Sequence, residues 1–526
     1  MTKSARSGRK DRLASEDPGA GRAGRHSLFV LLAVAGLCAL PIFWDLGEHG
    51  IHGDEAIYVT VAERVAETGQ WAPLPGGAGA FVRKPPLLIW ASAGSRVLFG
   101  DSEWAYRLPG AVAGWLGCLV TLAFGASLGS RFAGCVAALL LATAPGLLHL
   151  HGLRDAVTEP WLLLATASSL LVASRLGGWR SWSALALLSA MNGLSRGPLG
   201  LAVVAGTLLL AAAGALLRGR FVRAAGDRSV GHAALAALVA VLPGALAYLA
   251  WLRYSLASWA KVAAWLARDV GERALSGVDP GHLRPLSTIV ETYWGNFGFF
   301  APLGVGGLVL VLAAGWRSTR PETRWSDRWL LASWIGAAIL PVAVSVSRLP
   351  WYLYPGFPAL ALAAGLATRD LLSAANSRSL ALAGLVAASL ALAGGTRVRE
   401  LAVTWPTRDA RSLAELERMR RSDPTVRVFA DAILGPRRHL SGPLRGWNAY
   451  YARRFEPLEP PTLPSAEGEC SLLVTPRPEV WEAVGTDSRR AARVEVPRAA
   501  AGDLQLVVID LCAGRFARAT TGAGER

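Results

Sequence analysis

The sequence is short of charge and almost without lysine. Of its 526 residues, 17% are Asp, Glu, Lys or Arg and 52% are hydrophobic. A chain this long and this apolar excludes one soluble core and leaves transmembrane helices. Lysine occurs at four positions, Lys3, Lys10, Lys84 and Lys261, so arginine is the default cation. Cysteine is scarce too, five in all, with no Cys-x-x-Cys or Cys/His spacing that suggests a zinc site. Cys38, Cys118 and Cys135 fall in apolar runs. Cys470 and Cys512 fall in short β-like runs near the end of the chain, where an oxidising compartment permits either a disulfide or two buried thiols. No repeat of fixed period is evident. The apolar run 28–40 is followed by no small-residue cleavage site, so it reads as an uncleaved first span.

A span needs about 20 mostly apolar residues. Stretches of that kind are 28–44, 108–128, 132–148, 156–173, 199–217, 233–252, 295–314, 329–346, 353–367 and 380–393. A shorter one, 182–194, reads either as a full helix with its Trp anchored at the interface or as half of a re-entrant pair. The expectation is a polytopic α-helical membrane protein of about eleven spans, within a range of about 9 to 13.

Arginine sets the orientation, because short cytoplasmic loops carry the positive excess. The head, residues 1–27, holds Lys3, Arg6, Arg9, Lys10, Arg12, Arg22 and Arg25, which places the N-terminus inside. Alternate loops then carry Arg131; Arg175 and Arg180; Arg218, Arg220, Arg223 and Arg228; Arg317, Arg320, Arg324 and Arg328; and Arg369 with Arg378. Every basic cluster between spans lands on the same side. The net charge of +16 is thereby assigned largely to topology and to the head, and nucleic acid is not needed as a partner.

The same count puts four segments outside: a first loop at 45–106, a second at 253–294, a short turn at 347–352, and a tail at 395–526. The membrane module therefore runs over 28–394. The tail turns charged and proline-rich, with β-like runs at 426–429, 471–474 and 504–509 and a helical stretch at 412–421, which reads as a small extracytoplasmic α/β domain. It contains no recognisable catalytic set, and reads as a lid or an acceptor-side platform.

The first loop is the richest in chemistry. It opens His52-Gly53-Asp54-Glu55, continues as a helix with Ile57, Val61 and Val65 on one face, turns at Gly69, and reaches Arg83-Lys84-Pro85-Pro86 before a short apolar helix ending near Gly100. Amphipathic helices of this kind lie in the membrane interface, as a shelf on which a lipid-linked substrate can be met. Asp54 and Glu55 serve either catalysis or the N-terminal end of that helix. Lys84 is either a compact cation for a phosphate or a snorkelling interfacial lysine.

Five motifs in order then resemble one enzyme family. They are Asp54-Glu55 with Tyr58 and the Gly69-x-Trp71 turn; Lys84-Pro85-Pro86-Leu87 with Tyr106-Arg107-Leu108-Pro109; Leu153-Arg154-Asp155-Ala156-Val157-Thr158-Glu159-Pro160; Gly193-Leu194-Ser195-Arg196-Gly197-Pro198; and Arg348-Leu349-Pro350-Trp351-Tyr352-Leu353-Tyr354-Pro355. The chain resembles GT-C-fold glycosyltransferases of the protein O-mannosyltransferase and lipid A aminoarabinose transferase type. The resemblance implies a polyprenyl-phosphate-linked sugar donor, a lipid, protein or polysaccharide acceptor, and transfer with inversion at the outer face of a bacterial cytoplasmic membrane. Its implied catalytic residues are Asp54, Glu55 and Glu159; its implied lipid-phosphate contacts are Lys84, Arg273 and Arg348.

Further candidates under the same resemblance are Tyr58, Arg154, His282 and Tyr352. Arg273 and His282 lie in the second outside loop, where His282 either binds a metal or caps a helix. No cofactor is certain, and a divalent metal stays open. Two positions depart from the family pattern. Ile57 stands where relatives often have Arg, which puts one phosphate contact in doubt, and Arg83 stands where aminoarabinose enzymes have an acid, which weakens a metal site. The rival reading from another class is a transporter or lipid-linked sugar flippase, which would bind near the bilayer midplane between inverted repeats.

Overall fold

Prolines and glycines decide where the apolar runs stop being helix. The chain is seen here in a computed structural model, which describes residues 18–44, 46–47, 51, 53–76, 79–221, 228–272, 275, 283–317, 323–373, 416–417, 420–422, 426–431, 456–458, 470–475, 492–496 and 506–510. Its first helices are α1 (Pro18–Phe43), α2 (Gly53–Thr68), α3 (Leu87–Phe99), α4 (Glu103–Ser127), α5 (Arg131–Ala142), α6 (Pro145–His149), α7 (Glu159–Ala173) and α8 (Trp179–Arg196). Helices Pro198–Phe221, Arg228–Leu256, Trp259–Leu266, Ser287–Phe297, Phe300–Arg317, Thr323–Val344 and Phe357–Ser373 follow.

Among the described residues, four helical segments are long and apolar enough to cross a membrane unaided: Glu103–Ser127, Pro198–Leu217, Ala234–Leu256 and Ser326–Val344. The expected span 295–314 is not one helix. Ser287–Phe297 and Phe300–Ala314 meet at 108°, and the break falls at Gly298, whose φ of 52° is open to glycine at little cost. The expected span 132–148 is divided as well, because Pro145 starts a new short helix after α5. With 12 and 15 residues, α5 and α7 reach about 18 and 22 Å at 1.5 Å per residue, less than a bilayer core of about 30 Å. Stretch 182–194 sits within the continuous 18-residue α8. Stretch 380–393 lies outside the described residues.

Packing is close where side chains are small. A Cβ on Gly193 of α8 would overlap the carbonyl of Gly244 in Arg228–Leu256, so the two helices touch backbone to backbone. The main buried cluster runs through α1, α4, α5, α7 and Phe357–Ser373, and includes Trp334 and Phe124, whose ring centres lie 5.6 Å apart with the planes tilted by 43°. A second cluster gathers the first loop. It includes Ile51, Val59, Val61, Ala62 and Val65 around α2, Leu88 and Ile89 from α3, Tyr106 from α4, and Ala156 and Val157 ahead of α7. Thus α2 is buried on more than the one face that its 57, 61, 65 spacing suggested.

The tail contains a five-stranded sheet in the order β2-β1-β3-β5-β4, with β1 (Val426–Asp431), β2 (Glu456–Leu458), β3 (Cys470–Thr475), β4 (Ala492–Val496) and β5 (Leu506–Asp510). β1 pairs in parallel with β2 and β3, whereas β5 pairs antiparallel with β3 and β4. The strands expected at 426–429, 471–474 and 504–509 are present, and β2 and β4 are additional. Of the stretch 412–421, residues 416–417 and 420–421 are helical. There Arg421 reaches Asp101 at 3.9 Å and Glu103 at 3.6 Å, which brings the start of the tail against the turn between α3 and α4. Cys512 lies outside the described residues.

Candidate functional site

Two neighbouring carboxylates at the start of α2 are treated oppositely. Glu55 is buried and saturated: Arg107 donates from Nε to Oε1 at 2.7 Å and from Nη2 to Oε2 at 2.8 Å, and the amide of Ala156 donates to Oε1 at 2.8 Å. Such a two-pronged pair is the strongest protein ion-pair geometry. Arg107 also donates to the carbonyl of Leu46 at 3.1 Å, so one guanidinium ties α4 to both ends of the turn before α2. Gly110 lets α4 approach this closely, since a Cβ there would stand 2.9 Å from the carbonyl of Asp155.

Asp54 is only partly buried and meets a different set of groups. The hydroxyl of Tyr58, one turn further along α2, donates to Oδ2 at 3.0 Å. Burial alone would raise the carboxyl pKa, but Lys84, then His151, the Tyr58 bond and Arg83 outweigh it and hold Asp54 below its ordinary value. Burial, first, and the charge of Asp54 push the Tyr58 phenol well above its ordinary value. Tyr58 therefore stays protonated and remains a donor to an ionised Asp54.

Glu159 forms an adjacent group. Arg196, the last residue of α8, reaches its Oε1 at 2.8 Å and donates to the hydroxyl of Thr158 at 2.6 Å, while that hydroxyl lies 3.1 Å from Glu159 Oε2. The guanidinium of Arg196 also lies 5.4 Å from the ring centre of Tyr352, within cation–π range. Tyr58 senses the charges of both Arg196 and Glu159, so it joins the two carboxylate groups electrostatically.

The structure thus brings together Asp54, Tyr58 and Lys84, with Glu159 and Tyr352 alongside. It places two other candidates in framework contacts. Arg154 donates to the carbonyls of Pro41 and Trp44, where the end of α1 leaves acceptors unsatisfied. Arg348 donates to the carbonyl of Arg284 at 2.7 Å, pinning the turn before Pro350 to the segment just ahead of Ser287–Phe297. Arg273 and His282 lie outside the described residues. Among the described residues no three His, Cys, Asp or Glu side chains gather as a metal cage.

Three contributors were not picked out from the sequence. Arg107 and Arg196 stood inside the motifs, where their place in the sequence gave no hint of which carboxylate each served. His151, stacked on Trp351 with ring centres 4.1 Å apart, carried no motif at all.

Residues 83–251 match the sequence model of the dolichyl-phosphate-mannose-protein mannosyltransferase family. A comparison with curated protein sequences gives no match. Among solved structures, ArnT from Cupriavidus metallidurans bound to undecaprenyl phosphate aligns with a TM-score of 0.58 at 16% identity, over 93% of this chain and 98% of that one. The apo form of ArnT aligns at 0.57 and 16% identity, over 94% and 99%. The oligosaccharyltransferase AglB from Archaeoglobus fulgidus, in complex with an inhibitory peptide and a dolichol-phosphate, aligns at 0.51 and 14% identity, over 82% of this chain and 64% of that one.

The chain has the GT-C fold of membrane glycosyltransferases. The resemblance drawn from the sequence is borne out to that extent: residues 83–251 match the mannosyltransferase family model, and the alignment with ArnT shows the shared fold.

Proposed function

We propose that this protein transfers a sugar from a polyprenyl-phosphate donor to an envelope acceptor at the outer face of the bacterial cytoplasmic membrane. The observation that carries the reading is an ionised Asp54 set beside Lys84 and steadied by Tyr58. Undecaprenyl phosphate bound to ArnT and dolichol-phosphate bound to AglB support the choice of donor class.

In the reaction the acceptor oxygen bonds to the anomeric carbon as the bond from that carbon to the phosphate oxygen breaks. Polyprenyl phosphate leaves with the bonding electrons, and the acceptor proton passes to Asp54. A carboxylate held below its ordinary pKa is a weak standing base. Proton transfer to it becomes favourable only as the attacking hydroxyl acidifies in forming its new bond, which places the base where it acts in the transition state. Lys84 supplies the charge that the departing phosphate requires. A single displacement inverts the anomeric centre.

Glu159 and Arg196 form the second wall, and orient the acceptor against Asp54. Glu55 shapes the site from behind by fixing the first turn of α2, and Arg348 acts through the backbone it braces. The tail, held to the first loop through Arg421, serves as the acceptor-side cover.

Mass analysis of envelope glycolipids, glycoproteins and polysaccharide from a deletion strain tests the reading. One glycoform should disappear and its lipid-linked sugar accumulate, with both changes reversed by the wild-type gene. A glycoform that disappears without accumulation of an outer-leaflet donor would instead favour the flippase.

A further inference from the structure

His151 lies in the turn between α6 and α7, and none of the five motifs contains it. Its backbone is left-handed, with φ of 52°, although it is not a glycine. A side chain in that region is held there by its surroundings, and such positions cluster at functional sites. Here the surroundings are specific. The amide of Gly146 donates to Asn296 Oδ1 at 2.7 Å, the Tyr354 hydroxyl sits 2.7 Å from the carbonyl of Leu150, and the amide of Gly152 donates to Asp155 Oδ2 at 3.0 Å. The imidazole then lies nearly flat on Trp351, with 19° between the ring planes.

This clamp leaves Nδ1 buried with no hydrogen-bond partner among the described residues. Buried polar atoms are nearly always paired, so an orphan beside a reaction centre indicates a partner that arrives with the substrate. The electrostatic surroundings indicate its sign. Asp54 feels positive charge from Lys84, His151 and Arg83. A group entering beside these side chains meets the same positive charge that Asp54 does, which favours an anion.

We propose that His151 is a binding residue for the donor: its Nδ1–H, held by the Trp351 stack, donates to a phosphate oxygen of the polyprenyl-phosphate group beside Lys84. The proposal rests on the donor class assigned above, and it adds a third side to the phosphate site from a loop that the motifs do not include.

The test is binding of undecaprenyl phosphate to the full-length protein in nanodiscs, compared among wild type, Lys84→Met, His151→Phe and His151→Gln. Phe keeps the stack on Trp351 without an N–H; Gln keeps a donor. Both His151 variants should melt within a few degrees of wild type, and His151→Phe should bind about tenfold more weakly, the cost of one hydrogen bond to a charged phosphate. His151→Gln should recover part of that affinity. Both variants binding as wild type does would overturn the proposal while leaving the donor class intact. Should His151→Phe fail to fold, His151→Gln decides alone. Wild-type protein that does not bind undecaprenyl phosphate at all would instead count against the donor class.

Discussion

Asp54 and Glu55 are consecutive residues with opposite surroundings. Glu55 faces the interior, where a guanidinium and a backbone amide fill its acceptor positions. Asp54 faces the site, where one hydroxyl donates to it and several cations lie near without closing over it. Successive side chains on a helix point about 100° apart, so a two-residue acidic motif divides between framework and chemistry as soon as the helix starts. A pair of acids in a motif is therefore not a pair of catalytic acids.

The strongest way to break this contrast is to strip the framework side. Arg107→Ala leaves Glu55 as an uncompensated buried carboxylate, and removal of one partner from such a pair costs about 3–5 kcal/mol. The expected outcome is a large fall in melting temperature in detergent, with activity lost because the protein is lost. Arg107→Met combined with Glu55→Gln should recover much of that stability, since no bare charge remains.

Lys84→Met acts on the chemical side and should leave the melting temperature nearly unchanged. Loss of one cation from a developing negative charge costs about 10²-fold or more in turnover. It should also move the acid limb of kcat/KM. In wild type Asp54 titrates below its ordinary value and stays ionised down to that pH; without its strongest cationic neighbour its pKa rises, so activity falls off at a higher pH. An acid limb that stays in place would mean that Asp54 does not govern it.

Tyr58→Phe is the milder version. It removes the donor to Asp54 and should lower kcat/KM by about tenfold, shifting the acid limb in the same direction by less. Smallest of all is Arg421→Ala. The contacts of Arg421 with Asp101 and Glu103 are long and partly exposed, and such pairs contribute about 1 kcal/mol or less. Its effect should appear, if the tail covers the acceptor, as a raised KM for acceptor with kcat unchanged.

Several of these residues were legible in the sequence and others were not, for physical reasons. Asp54, Tyr58 and Lys84, which the structure brings together, could be picked out because they sit at helix starts and prolines, where local rules apply. The fate of Glu55 was not legible, because Arg107 lies 52 residues away and only the fold brings it close. Arg154 stood among the further candidates, yet it satisfies the open end of α1, a demand that exists only once the helices are placed. His151 was hidden more deeply, since its role depends on a left-handed turn and a stack with Trp351.

The spans show the same division. Hydropathy found the apolar runs, but 295–314 reads as continuous because nothing in composition marks Gly298 as a 108° corner. Likewise the 57, 61, 65 pattern of α2 reveals one apolar face and is silent about the neighbours that bury the others.

The most direct measurement compares Asp54→Asn with Glu55→Gln in one pair of assays, sugar transfer in membranes and melting of the purified protein. Asp54→Asn should melt like wild type and lose about 10²–10⁴-fold in transfer, whereas Glu55→Gln should melt lower and keep transfer in proportion to the folded protein that remains. Asp54→Asn that still transfers sugar at the wild-type rate, or Glu55→Gln that is fully stable and inactive, would contradict the assignment of chemistry to Asp54 and of framework to Glu55.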